Sequence, residues 1–111
     1  MQSATAVGPG RGRFGREQTV DPIAVFEVLA NSGCREVLTA VGEDTFTAAE
    51  ISERVDAPMS SIYRHLEALT ETGFLEESVR INPHGRNQNQ YARTVADISV
   101  SFTDDFDVRF L

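Results

Sequence analysis

The sequence predicts an α+β winged helix-turn-helix fold with three to four helices, a wing hairpin and an additional C-terminal β-hairpin. Three observations lead there. Apolar residues recur at helical spacing up to about Thr72 and at a period of two from Leu75 onward. Two short helical patterns meet at Asp56-Ala57-Pro58, a tight turn. A hairpin pattern then follows at once, turned by Asn82-Pro83-His84-Gly85. Two helices, a short turn and a hairpin in that order make the winged plan.

Each element has a local cause. Asp21 followed by Pro22 is a helix start, a carboxylate cap with proline in the first turn. Ile23, Phe26, Leu29 and Ala30 then form an apolar stripe. Asn31-Ser32-Gly33 interrupts it and can cap a second helix, in which Cys34, Val37, Leu38 and Val41 share one face and Gly42 is the stop. Thr47-Ala48-Ala49-Glu50 is a capping box: Thr47 can accept from the amide of Glu50 while Glu50 reaches back to the amide of Thr47. The helix it opens points Ala48, Ile51 and Val55 inward. A longer helix over about 59–72 buries Met59, Ile62, Leu66 and Leu69, with Gly73 in the left-handed position after it and Phe74 folded back. Beyond it, Leu75, Val79 and Ile81 alternate with polar residues, and a return strand runs from about Asn87 to Val95. Ala96, Ile98, Val100 and Phe102, then Phe106, Val108 and Phe110, alternate about a turn at Thr103-Asp104-Asp105.

The organisation expected is an arm over residues 1–19, a DNA-binding domain over 20–95 and a C-terminal hairpin over 96–111. The arm carries Gly8-Pro9-Gly10-Arg11-Gly12-Arg13-Phe14-Gly15-Arg16, which is either a solvated tail or a reach along a phosphate backbone. No apolar run approaches a membrane span, no secretory signal is seen, and one cysteine cannot make an internal disulfide. A cytoplasmic protein without a membrane partner is expected.

The net charge is −7, and all ten basic residues are arginine. That balance argues at first against DNA. The positions of the acids reverse the argument. They are absent from Met1–Arg16, Ala57–Leu66 and Ser78–Ala96, and any DNA contact belongs in those windows. In the longer helix the outward groups are Ser60, Ser61, Tyr63 and Arg64, small polar and bidentate groups of the kind that meet base edges in the major groove. Over about 78–94 the wing crowds Arg80, His84, Arg86, Asn87 and Arg93 without a carboxylate, a composition suited to the backbone or minor groove. The bland alternatives are a solvated helix face and a polar loop. His65, near the apolar stripe, reads as a structural histidine.

The stretch Ile62-Tyr63-Arg64-His65-Leu66-Glu67-Ala68-Leu69-Thr70-Glu71-Thr72-Gly73-Phe74-Leu75 resembles the recognition-helix region of ArsR-like repressors. Asp21-Pro22-Ile23-Ala24-Val25-Phe26 and Tyr91-Ala92-Arg93 look like the haloarchaeal branch of those regulators, as does the lack of lysine. The resemblance covers about Asp21 to Leu111. It implies a winged-helix regulator of transcription bound to double-stranded DNA. It does not carry over metal sensing, because the paired thiols of the metal-sensing members are missing and one Cys with two His is too few for a tetrahedral site. Nor does it carry over a dimer geometry, since no long helix follows the second hairpin.

Further expectations concern partners and chemistry. A homodimer is expected through Phe26 and Leu29 on the first helix and Phe102, Phe106, Val108 and Phe110 on the last hairpin, apolar groups beyond the needs of a three-helix core. Cys34 stands at a helix start beside Arg35, both of which lower a thiol pKa, so a redox sensor is one reading and a core cysteine the other. No catalytic set, metal site or cofactor motif is found, so no enzyme is expected. The rival to a DNA-binding regulator is a winged-helix module that binds another protein through its acidic surface.

Overall fold

The computed structural model describes residues 18–103 and 105–111. Element order is β1 (Gln18–Thr19), α1 (Pro22–Ala30), α2 (Ser32–Val41), β2 (Thr45–Thr47), α3 (Ala48–Val55), α4 (Met59–Thr72), β3 (Leu75–Arg80), β4 (Gln88–Arg93), β5 (Ile98–Ser101) and β6 (Asp107–Phe110). The residues divide into two units, Ile23–Thr94 and the described residues on either side of it.

Within Ile23–Thr94 the helices start and stop where their local chemistry dictates. Asn31 accepts from the amide of Cys34 at the head of α2, and Gly42 closes that helix at a positive φ of 57°. Both halves of the capping box form: Thr47 N donates to Glu50 Oε1 (2.8 Å) and Glu50 N donates to Thr47 Oγ1 (3.3 Å). Gly73 ends α4 at φ 95°, and Phe74 folds back to 4% exposure. Helices α2, α3 and α4 pack on one another. Val37, Val41, Ile51, Ile62, Leu66 and Leu69 are their largest fully buried side chains. Full burial of each such side chain is worth about 1.5–3 kcal/mol over exposure.

In α1 the buried residues are Val25 and Val28, while Ile23 and Phe26 of the apolar stripe are 64% and 39% exposed. Both rows are spaced three apart on a nearly all-apolar helix, so local periodicity cannot choose between them.

The wing is a three-stranded antiparallel sheet of order β2-β4-β3. Strand β2 was not anticipated; three residues show no period, and Thr45-Phe46-Thr47 becomes a strand only by pairing with Gln90–Ala92. Val79 and Ile81, which alternate with polar residues along the sequence, are 53% and 71% exposed. In the second unit β1-β6-β5 form another antiparallel sheet. Gln18 and Thr19, expected in the arm, pair with Phe110 and Arg109; residues 1–17 of that arm lie outside the described residues. Val108, on the central strand of this sheet, is fully buried.

Candidate nucleic-acid interface

The turn between α3 and α4 is built from three residues with separate tasks. Asp56 takes the left-handed conformation (φ 54°), which a short polar side chain tolerates. Ala57 N donates back to Ser52 O (3.2 Å). Pro58 holds Ala57 out of the helical region and precedes α4 in an extended conformation (φ −67°, ψ 152°). Among the described residues no side chain caps α4, and its first amides lie at the positive end of the helix dipole.

Burial of Ile62, Leu66 and Leu69 fixes which face of α4 looks out. Ser60, Tyr63 and Arg64 are exposed on that face; Ser61 is half-buried and receives a long hydrogen bond from Arg64 Nη2 (3.5 Å). Acids return to the same face at Glu67 and Glu71. There a cleft of about 330 Å³ is lined by Tyr63, Leu66, Glu67, Thr70, Glu71, Glu77 and Tyr91. Tyr91 Oη donates to Glu77 Oε2 (2.9 Å), and burial, then Glu77, push the phenol pKa up to about 12. The carboxylates bound the acid-free face and repel phosphate beyond it.

The wing sorts its basic residues by partner. At the tip, Asn82 Oδ1 accepts from His84 N (3.0 Å), Asn87 Oδ1 accepts from Asn82 N (3.0 Å), and Gly85 N donates to Asn82 O (3.3 Å). These bonds shape a turn that presents His84 and Arg86 to solvent. Arg80 and Arg93, expected beside them, are turned inward. Arg80 Nη1 and Nη2 meet Glu50 Oε2 and Oε1 (both 3.2 Å), and its Nε donates to Gln90 Oε1 (3.0 Å). Arg93 Nη1 reaches Leu38 O (3.5 Å). The hydrogen bonds from Arg80 and from the Thr47 amide hold the Glu50 carboxyl below its ordinary pKa. Sequence reasoning found Glu50 as a helix cap and missed its hold on Arg80. The two stand 30 positions apart, and no local pattern joins them.

Cys34 is 2% exposed, and burial pushes its thiol pKa up, opposite to the depression expected from the helix start and Arg35. Arg35 turns instead to Leu29 O (2.6 Å). The Cys34 Sγ lies 3.6 Å from His65 Nδ1. Among the described residues, no three His, Cys, Asp or Glu side chains gather as metal ligands, and no helix is long and apolar enough to cross a membrane. Of the apolar groups expected at a dimer contact, Phe102 and Phe106 are 76% and 47% exposed and stack at 5.6 Å, and Phe26 is 39% exposed. Leu29 and Phe110 are half-buried, whereas buried Val108 is withdrawn from any contact surface.

Comparison with known proteins bears on the fold. Residues 29–78, from the end of α1 into β3, match the helix-turn-helix domain family. A solved ArsR-like transcriptional regulator from Rhodococcus sp. RHA1 is similar at a TM-score of 0.55 and 24% identity, over 64% of this chain and 62% of that one. The similarity thus spans less than two thirds of that regulator's length. No curated protein matches the chain in sequence. The architecture of this chain is that of a winged helix-turn-helix.

Proposed function

We propose that the chain is an ArsR-like transcriptional regulator, a binding protein rather than a catalyst, that recognises double-stranded DNA. The observation that carries this reading is the acid-free exposed face of the first two turns of α4, in a chain whose net charge is −7. Ser60, Ser61, Tyr63 and Arg64 meet base edges and phosphates in the major groove. The wing tip, with His84, Arg86 and the amide of Asn87, follows the backbone or minor groove. The acid-rich, lysine-free composition fits a halophilic archaeon and a cytoplasmic setting.

The test is enrichment of duplexes from a random-sequence library at moderate salt, followed by direct binding to the enriched site. A shared motif bound at least tenfold more tightly than scrambled sequence is the expected result. No enrichment, with capture of a protein partner instead, would replace this reading with the interaction module.

The same reading calls for a homodimer, because two recognition helices about one DNA turn apart read a two-fold site. The exposed Phe102–Phe106 stack offers an apolar surface for pairing. Light scattering should give twice 12.2 kDa; a monomer at micromolar concentration in high salt would contradict it.

A further inference from the structure

Arg80 sits in the acid-free wing, yet its guanidinium is committed to the helical body. Both terminal nitrogens reach the Glu50 carboxylate, Nη2 also approaches Thr45 O (3.4 Å), and Nε is held by Gln90. Glu50 Oε1 at the same time accepts from Thr47 N. One carboxylate therefore joins the start of α3, the edge strand β2 and the end of β3. The location matters. Arg80 is the last residue of β3 and stands opposite Gln88, the first of β4, at the final rung before the tip. A twisted ribbon held only at its base can bend at its far end, and this contact holds the far end.

We propose that Glu50 and Arg80 are the positioning pair of the wing: they fix the direction in which the β3–β4 hairpin carries Arg86, so that the tip and α4 engage one DNA backbone together. This rests on the DNA-binding reading above. Both side chains are partly exposed, 37% for Arg80 and 43% for Glu50, so solvent screening keeps their contribution to stability small. Their geometry, by contrast, is specific. A bidentate arginine–carboxylate pair fixes orientation as well as distance, and a lysine cannot reproduce it.

Glu50→Gln separates this role from helix capping, because glutamine at the same position of a capping box still reaches back to the N-cap amide. Simple electrostatics and positioning then differ in sign. Removing an acid from a protein of net charge −7 strengthens binding to a polyanion by charge alone, and it also frees Arg80 for a phosphate. If the pair positions the wing, the same change weakens binding. The experiment is the salt dependence of binding to one mixed-sequence duplex for wild type, Glu50→Gln and Arg80→Gln, each with and without Arg86→Ala, at a temperature where all are folded. Arg80→Gln leaves the capping box intact, so the test survives a folding defect in Glu50→Gln. In the wild-type background Arg86→Ala should lower the salt slope by about one. Glu50→Gln should weaken binding, and in either pair-broken background Arg86→Ala should lower the slope no further. Glu50→Gln binding as tightly as wild type or more so, or full and additive effects of Arg86→Ala and Arg80→Gln, would overturn the positioning role alone. A wild type that binds no duplex would overturn the DNA-binding reading, and the pair's role in it would fall too.

Discussion

The first two turns of α4 and the outer part of the β3–β4 hairpin, from Ser78 to Arg93, are both free of acids, yet they hold their polar residues by different means. In α4 the outward set follows from the inward one: once Ile62, Leu66 and Leu69 are buried, a rigid period leaves Ser60, Tyr63 and Arg64 outside. In the hairpin, composition gives three arginines, but their directions depend on partners far away in sequence. Arg80 goes to Glu50, Arg93 to Leu38 O, and Arg86 to solvent. A helix face is a local property, whereas the working face of a wing is a tertiary one.

The largest expected effects lie on the buried side of α4. Ile62→Ala removes a fully buried side chain and should destabilise the fold by about 2–5 kcal/mol. Val79→Ala, on the exposed hairpin, should stay within about 0.5 kcal/mol. Denaturant titration of both measures the contrast; a large loss at Val79 would show that the hairpin is buried against something more than the helices.

A smaller effect tests how α4 is seated on α2. A Cβ at Gly33 would run into the His65 imidazole, so Gly33→Ala must displace the ring. Overpacking of this kind costs about 1–3 kcal/mol, against a helix-propensity gain of about 1 kcal/mol. Gly33→Ala alone should therefore destabilise. In a His65→Ala background the same change should become neutral or stabilising, and chemical denaturation of the four proteins would show the reversal. An unchanged sign would mean that the His65 ring does not occupy that space.

The smallest effect concerns Tyr91, which ties the hairpin to the acidic cleft. Its phenol is raised from the usual 10 to about 12. A raised pKa means that the folded state keeps its proton after the unfolded state has lost it. The associated stability is present below pH 10 and is lost progressively as pH rises through about 12. Melting temperatures across that window should fall less steeply for Tyr91→Phe than for wild type. Parallel slopes would assign the alkaline loss to other groups.

Much of the fold was legible because its signals were local. The capping box at Thr47 and Glu50, the stop at Gly73, the bounds of α4 and the period change at Leu75 each depend on a few neighbouring residues. What escaped depends on pairing at a distance. Strand β2 exists only through β4, and β1 only through β6. On α1, almost wholly apolar, the sequence pattern does not choose between Val25 with Val28 and Ile23 with Phe26 as the buried row. For Cys34 the sequence offers an acidic sensor thiol and a core cysteine; the helix start and Arg35 favour the first, but desolvation outweighs them once Arg35 turns to Leu29 O. For the candidate site, the exposed residues of α4 were readable and the inward turn of Arg80 was not.

The division of labour between these two regions is tested most directly by binding curves for wild type, Arg64→Ala and Arg86→Ala on an enriched duplex and a scrambled one, within one salt series. Arg64→Ala should cost about 1–3 kcal/mol on the enriched site and narrow its margin over the scrambled one. Arg86→Ala should weaken both sites alike and lower the salt slope by about one. Discrimination lost with Arg86→Ala and retained with Arg64→Ala would contradict the account.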